Sequence, residues 1–258
     1  MALRFSSLGS GSEGNGLLVQ SAQTLILVDC GFSLVETERR LNRLGVSSAQ
    51  LDALLVTHEH SDHMSGIPAL AKRVGCPVYG SFGTLVDLIQ EIPEQIRVIR
   101  DEESFAVGPM NILPYAVPHD SREPLQYVFS AGGRRFGLLT DTGSVTPHIE
   151  RSLQGCHALF LETNYDPELL EKGPYPASLK ARVQGPYGHL SNEASSRLAQ
   201  RLDHHGLQWI VAAHISRKNN TPDHALTELN RVLRNGSDRI LIAAQDTGLD
   251  WISLGVCL

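Results

Sequence analysis

The chain has 258 residues, of which 41% are hydrophobic and 19% are charged. This length and composition suffice for a large α/β core, and we expect residues 1–258 to form a single domain. The net charge of −6 and the pI near 6.0 exclude a protein that coats nucleic acid through unfocused positive charge. A local basic groove stays compatible with both values.

No segment has the pattern of a targeting or membrane-spanning element. The N-terminal segment lacks the apolar run of a signal peptide, and no later run approaches the roughly 18 residues of a membrane span. We therefore expect a cytoplasmic protein. The four cysteines form no CxxC pair, which predicts reduced thiols instead of disulfides or a zinc knuckle: Cys30, Cys76, Cys156 and Cys257.

In the first part of the chain, short apolar runs alternate with glycine turns and two amphipathic segments. A strand is predicted before the glycine-rich segment 9–16 and two strands after it. The elements expected next are a helix over residues 33–44 ended by Gly45, a buried strand at 51–57, a helix at 66–75, an extended segment at 77–80 and a helix at 81–92.

The second part of the chain begins with strands and then mixes strands with helices. Residues 131–133, Ala-Gly-Gly, predict the turn of a hairpin. The predicted strands are 104–107, 110–117, 125–130, 134–140, 157–162, 207–213 and 239–244; the predicted helices are 145–153, 191–202 and 222–233, with a proline-rich loop before residue 191. This order suits two sheets packed face to face with helices outside, an α/β four-layer sandwich.

Residues 57–63, Thr-His-Glu-His-Ser-Asp-His, crowd metal-binding side chains at the end of a predicted strand. In an extended segment His58 and His60 point the same way, and a helix that follows would present Asp62 and His63 together. Imidazole suits zinc and other first-row metals, and a carboxylate adds negative charge. A solvated polar turn is the alternative, but so many ligand types rarely crowd so closely.

The two pairs of side chains in this stretch, His58 with His60 and Asp62 with His63, could serve two metal ions. Four ligands cannot saturate two ions, so other segments have to contribute. His119, Asp141 and His214 each follow an apolar run that would stop at a common sheet edge. Taken singly, such an Asp is more often a turn former and such a His more often a core residue. Three repeats of the same placement favour metal binding.

The pattern His58-x-His60-x-Asp62-His63, followed by His119, Asp141 and His214, resembles the metallo-β-lactamase superfamily. The strand-end Asp29 matches the first motif of that superfamily as well. The resemblance implies an αββα sandwich and two divalent metal ions, zinc or manganese. By the same resemblance, one ion would be held by His58, His60 and His119, the other by Asp62, His63 and His214, and Asp141 would bridge them.

Within that superfamily the chain is most similar to the YycJ (WalJ) group. Three segments carry this likeness: 7–16 (SLGSGSEGNG), 188–199 (GHLSNEASSRLA) and 214–222 (HISRKNNTP). The last two are also similar to ribonuclease Z and the phosphodiesterase PhnP. The group is linked to 5′-to-3′ exonuclease action on double-stranded DNA, so the resemblance implies a nucleic acid or another phosphodiester as substrate.

Two metal ions about 3.5–4 Å apart can activate a bridging hydroxide as nucleophile and clamp the phosphodiester oxygens. Asp62, Asp141 and His189 are the implied catalytic residues, with His189 protonating the leaving group. A histidine that merely precedes a helix is the alternative for His189. Glu162 would orient a ligand histidine, unless it is a plain surface residue. Many group members carry His in place of Tyr165, so no role is assigned to that tyrosine.

The segment between Lys172 and Asn192 contains no acidic residue, which suits an anionic substrate. An ordinary solvated loop explains the same composition equally well. The residues that would supply charge or stacking faces in and near this segment are Lys172, Lys180, Arg182, Tyr175, Tyr187, Arg217 and Lys218.

Two other functions stay open. One is hydrolysis of a lactam or thioester, as in β-lactamases or glyoxalase II. The missing export signal disfavours the β-lactamase. The other is a metal-binding regulatory module without hydrolytic activity, which would need a flavin or partner domain that this chain lacks. A second copy of the chain, as in a homodimer, would help to hold a long polymer.

Overall fold

Fourteen strands of the described chain form two seven-stranded sheets. The computed structural model describes residues 2–233 and 237–255. In spatial order, the first sheet contains β14 (Leu249–Ser253), β1 (Leu3–Gly9), β2 (Gly16–Ser21), β3 (Thr24–Val28), β4 (Ala53–Leu55), β5 (Val78–Gly80) and β6 (Ile96–Val98). Strands β14 to β3 pair antiparallel, and β3 to β6 pair parallel.

The second sheet repeats this mixed arrangement. Its strands, in spatial order, are β13 (Ile240–Ile242), β12 (Trp209–Ala213), β11 (Ala158–Glu162), β10 (Arg134–Leu139), β9 (Leu125–Ala131), β8 (Met110–Ala116) and β7 (Phe105–Val107). Strands β7 to β10 pair antiparallel, and β10 to β13 pair parallel.

Helices cover the outer face of each sheet. On the first sheet they are α1 (Leu34–Arg43), α2 (Ser61–Met64), α3 (Ile67–Val74) and α4 (Phe82–Leu85); on the second they are α5 (Pro147–Leu153), α8 (Asn192–Leu202) and α9 (Pro222–Val232). Two short helices, α6 (Pro167–Lys172) and α7 (Ala177–Gln184), lie between β11 and α8. None of the described helices combines the length and apolarity needed to cross a membrane.

Alternation along the strands divides the apolar side chains between the layers. In β3, Ile26 and Val28 face the core between the two sheets, whereas Leu25 and Leu27 face the helices. Across the central core the rings of Phe5 and Phe136 stack with their centroids 4.3 Å apart. The predicted four-layer αββα sandwich is therefore confirmed.

Some predicted elements differ from the structure. The expected helix at residues 81–92 ends at Leu85 and continues as turns, and the loop expected before residue 191 contains α6 and α7. Helix α6 begins with Pro167 after the N-cap Asp166, so the proline that predicted a loop in fact opens a helix. Strands β6 and β14 were not predicted, because both are short and largely exposed on edges.

Several strands end at one rim of the sandwich, and polar residues follow each of them. Asp29 follows β3, His58 lies three residues beyond β4, His119 lies beyond β8, Asp141 beyond β10 and His214 beyond β12. Because parallel strands deliver their carboxyl ends to the same sheet edge, these residues from distant parts of the chain meet there.

Candidate metal centre

Three histidines form one half of the rim cluster. His60 Nδ1 lies 3.3 Å from His119 Nε2, and the three ring centroids of His58, His60 and His119 lie 4.6–5.0 Å apart. One nitrogen from each ring lies within 4.8 Å of the other two. His60 is the N-cap residue of α2, so the chain passes from extended backbone into a helix directly after it.

The other half of the cluster contains Asp62, His63 and His214. Asp62 Oδ2 lies 3.5 Å from His63 Nε2 and 3.6 Å from His214 Nε2. Asp141 lies between the halves: its Oδ2 is 3.1 Å from His63 Nε2 and its Oδ1 is 3.4 Å from His214 Nε2. The structure thus brings together all seven residues that the sequence predicted as metal ligands.

Several polar atoms in this cluster are buried without a hydrogen bond. His58 Nε2 and His214 Nε2 have none in the described part of the chain, and neither has Asp141 Oδ2. Leaving such groups unpaired inside a protein costs free energy, so each calls for a partner. Imidazole nitrogens and carboxylate oxygens are the donor set of zinc and related divalent metals, and the residues therefore fit a metal site.

A buried carboxylate orients His63. His63 Nδ1 donates to Asp29 Oδ2 at 2.8 Å, and the backbone N–H of Thr57 donates to Asp29 Oδ1, also at 2.8 Å. The hydroxyl of Thr57 donates to the same carboxylate. This network fixes the ring so that Nε2 faces the cluster, as outer partners of metal-binding histidines do.

Other imidazoles of the cluster are oriented in the same way. His119 Nδ1 donates to the carbonyl oxygen of Gly188 at 3.1 Å. The side chain of Asn164 lies 3.0 Å from His214 Nδ1 and donates to the carbonyl oxygen of His214. The backbone N–H of His214 donates to Ser10 Oγ at 2.9 Å. In each ring the second nitrogen, Nε2, is left facing the cluster.

Three residues of the rim have left-handed backbone conformations. Asp29, Asp141 and His214 have φ values of 59°, 51° and 52°. This region is uncommon for residues other than glycine, and backbone strain of this kind concentrates at functional sites. The sharp turn after each strand directs the side chain into the cluster.

The buried Glu162 and the half-buried His189 form a pair beside the cluster. His189 Nδ1 donates to Glu162 Oε1 at 2.7 Å and lies 3.5 Å from Asp141 Oδ1. Glu162 Oε2 accepts from the backbone N–H groups of Thr142 and Leu190. Glu162 has no exposed surface, so the alternative of a surface glutamate is wrong. Its closest imidazole contact is His189, and His214 Nδ1 lies farther away at 3.7 Å.

Burial and neighbouring charges shift the pKa values in the cluster. Burial, and next the charge of His63, lower the pKa of His58 well below its usual range, which keeps the ring neutral. Burial opposes ionisation of Asp141, but His214 and His63 outweigh it and hold its pKa well below normal. Burial disfavours the charged form of His189, yet the carboxylate of Glu162 outweighs burial and raises that pKa to about 9.

Four residues of the cluster line a cavity of about 200 Å³: His60, Asp62, Asp141 and His214. Tyr175, Leu179 and Val183, from the α7 region, form an apolar wall. Polar side chains also line the cavity, among them Ser12, Asn164, Ser216 and Asn219. Such a cavity is smaller than the pockets that enclose drug-sized ligands, so it suits one small unit of a substrate at a time.

Sequence reasoning missed several residues at this site. The Asn15 amide nitrogen lies 3.0 Å from His63 Nε2 and 3.4 Å from Asp62 Oδ2, and Asn15 belongs to the glycine-rich segment 9–16. Asn164 and Asp120 were likewise not placed there, whereas Arg182 and Tyr175, which the sequence offered as a charge and a stacking face for an anionic substrate, do line the cavity. The available signals were the spacing of the glycines and the position of Asn164 directly beyond β11.

Comparison with known proteins places the chain among metal-dependent hydrolases. The family model described as Beta-lactamase superfamily domain matches residues 24–215. The chain is 34% identical over 239 residues to Exodeoxyribonuclease YycJ of Bacillus anthracis, and the match covers 90% of each protein. It is 30% identical over 241 residues to Exodeoxyribonuclease WalJ of Streptococcus pneumoniae serotype 2, covering 90% of this chain and 89% of the relative.

A solved structure agrees with the fold. The metallo-beta-lactamase fold protein YhfI of Bacillus subtilis superposes with a TM-score of 0.76 at 19% identity, covering 98% of this chain and 99% of the other. At this identity the likeness establishes the fold alone.

Proposed function

The chain belongs to the β-lactamase superfamily and, within it, to the group of YycJ and WalJ, and from this premise we propose that it is a metal-dependent nuclease acting on DNA. The observation that carries the proposal is the pair of buried, unpartnered imidazole nitrogens, His58 Nε2 and His214 Nε2, in a cluster whose residues His60, Asp62, Asp141 and His214 line an open cavity. The two relatives, both named exodeoxyribonucleases, favour an exonuclease over other hydrolases, and the resemblance to the YycJ group suggests the 5′-to-3′ direction.

We assign two groups of ligands to two divalent ions. His58, His60 and His119 would hold one ion, and Asp62, His63 and His214 the other. Asp141 is suited to bridge them, because its carboxylate lies close to His58 of the first group and to His63 and His214 of the second. This ligand set accepts zinc or manganese. When bound, such ions supply Lewis acidity and an activated water for attack on phosphorus.

The protein residues supply orientation and a proton. Glu162 holds His189 by Nδ1, which leaves Nε2 free to face the cavity. Because Glu162 raises its pKa to about 9, His189 is protonated near neutral pH and can donate from Nε2 to the departing oxygen of the phosphodiester. The apolar wall around Tyr175 offers a face for the terminal base.

Degradation of labelled nucleic acids by metal-reconstituted protein tests this function. We expect release of mononucleotides from the 5′ end of double-stranded DNA, no release after chelation, and no release by Asp141→Ala. Single-stranded DNA and RNA with the same label define the preferred substrate. Hydrolysis of a chromogenic lactam or a glutathione thioester, with all nucleic acids left intact, would contradict the proposal.

Two further parts of this proposal concern the setting of the enzyme. A nucleic-acid substrate favours a cytoplasmic location. A cavity of about 200 Å³ contacts little of a polymer, so a second copy of the chain is the natural way to extend the contact surface, and the homodimer stays a prediction. Size-exclusion chromatography with light scattering would test it.

A further inference from the structure

We propose that Arg182 binds a phosphate oxygen of the substrate, and that Asp120 holds this guanidinium until the substrate displaces the carboxylate. The inference rests on the proposed phosphodiesterase function. It assigns a role to a residue that is neither a proposed metal ligand nor the proposed proton donor. It follows from the charges that line the cavity, the geometry of one ion pair and the anchoring of α7.

Arg182 is the one arginine or lysine among the described residues that line the cavity. Three carboxylates line it as well: Asp62, Asp120 and Asp141. Bound metal ions would neutralise the negative charges of Asp62 and Asp141, whereas Arg182 neutralises the negative charge of Asp120. Outside the metal cluster, a phosphodiester entering this cavity therefore meets one permanently charged side chain, Arg182, in addition to the imidazole of His189.

The ion pair between Arg182 and Asp120 engages only one of the three guanidinium nitrogens. Arg182 Nε donates to Asp120 Oδ2 at 2.5 Å, while Nη1 and Nη2 have no hydrogen bond within the described chain. The side chain of Arg182 is 59% exposed and that of Asp120 is 30% exposed. Exposed pairs contribute little to stability, so exchanging the carboxylate for another anion costs little. The planar fork of arginine suits two phosphate oxygens.

The helix that carries Arg182 is anchored without this pair. Val183 and Leu179 pack in a small apolar cluster with Tyr165, Leu170 and Tyr175. The carbonyl oxygen of Val183 accepts from the backbone N–H of His189 at 2.9 Å. A side chain at Gly188 would lie 2.3 Å from the carbonyl oxygens of both Arg182 and Val183, which shows how closely the loop passes under α7. Arg182 is therefore free to change partner.

Asp120 lies between Arg182 and the metal cluster. Its Oδ1 is 3.5 Å from His119 Nε2, and its other oxygen accepts from Arg182. An anion that replaces this carboxylate would sit beside the three-histidine half of the cluster. The pair thus marks a position for a substrate phosphate next to the residues that would activate it.

Variants at the two positions should change phosphate affinity in opposite directions. In metal-loaded protein, Arg182→Gln should weaken binding of thymidine 5′-monophosphate about tenfold, because a charge-assisted hydrogen bond is lost. Arg182→Lys should weaken it less. Asp120→Asn should tighten binding by about threefold, because a competing anion is removed. Arg197→Gln is the matched control: Arg197 is also paired with a carboxylate, Glu193, and its side chain is also 59% exposed, but it lies outside the cavity lining, so this variant should bind like the wild type.

Isothermal titration calorimetry with the monophosphate measures these effects without turnover, and metal analysis of each variant verifies that the cluster is intact. The KM for a 5′-labelled duplex should change in the same directions. Unchanged binding by Arg182→Gln overturns the proposal. Weaker binding by Asp120→Asn also overturns it, since both variants would then act by loosening α7. A wild-type protein that binds no monophosphate overturns it as well. Failure of the wild type to cleave any phosphodiester would contradict the proposed function instead.

Discussion

His189 Nδ1 lies 2.7 Å from Glu162 Oε1, and the carboxylate of Glu162 is completely buried. A buried carboxylate needs strong partners, and Glu162 has His189 together with two backbone N–H groups. The pair therefore fixes both the orientation and the charge of the imidazole, whose ring centroid lies 5.5 Å from that of His119 and 5.4 Å from that of His214.

Glu162→Gln should lower kcat by about tenfold or more, because the neutral amide no longer stabilises the charged ring of His189. The amide oxygen can still accept from the backbone N–H groups of Thr142 and Leu190, so the fold should persist. Steady-state kinetics on a 5′-labelled duplex, with metal analysis of the same preparation, measures both effects. A variant with full kcat would contradict this role of Glu162.

His189→Ala should slow cleavage of DNA by about 10²–10⁴-fold, the usual contribution of a positioned general acid, while metal content is retained. Hydrolysis of bis-p-nitrophenyl phosphate should fall much less, since p-nitrophenolate departs without a proton. Comparing the two substrates separates proton donation from a structural effect. An equal loss on both substrates would argue against a general acid.

Asp29→Asn should weaken metal binding by about 10–100-fold, because Asp29 holds His63 in the ring orientation that presents Nε2. The amide keeps the shape of the side chain but loses its charge. Titration of metal-free protein with zinc, followed by calorimetry, gives the affinity. Asp52→Asn is a matched control, since Asp52 accepts from the backbone N–H of Leu25 away from the cluster. Equal metal affinity in the two variants would contradict the prediction.

Phe136→Ala should lower the free energy of unfolding by about 3–5 kcal/mol, because it leaves a void where Phe136 stacks on Phe5 between the sheets. Phe82 is 56% exposed, so Phe82→Ala should change stability by no more than about 0.5 kcal/mol. Urea unfolding monitored by circular dichroism compares the two. A small effect of Phe136→Ala would show that the two sheets do not share this core.

The metal cluster could be predicted because its signals are local. His58 to His63 lie in one short stretch, and His119, Asp141 and His214 each follow an apolar strand that ends at the same rim. Asp29 was recognised from its match to the first motif of the metallo-β-lactamase superfamily. Strand alternation likewise predicted the layered fold, which the two sheets and their helices confirm.

The surroundings of the cluster depend on contacts that the sequence does not encode locally. Arg182 meets Asp120 from 62 positions away, and Asn15 reaches Asp62 from 47 positions away. Helix α7 was read as loop because its apolar side chains pack on a small separate cluster, not on a sheet. The single domain over residues 1–258 stays a prediction, as do the ligand roles at the rim.

Metal stoichiometry measured together with cleavage tests the central claim most directly. Chelated protein should be inactive, and titration with zinc or manganese should restore 5′-to-3′ degradation of duplex DNA as the bound metal approaches two ions per chain. Asp141→Ala should bind less metal and show no cleavage at any metal concentration. Full turnover by metal-free protein or by Asp141→Ala would contradict the account.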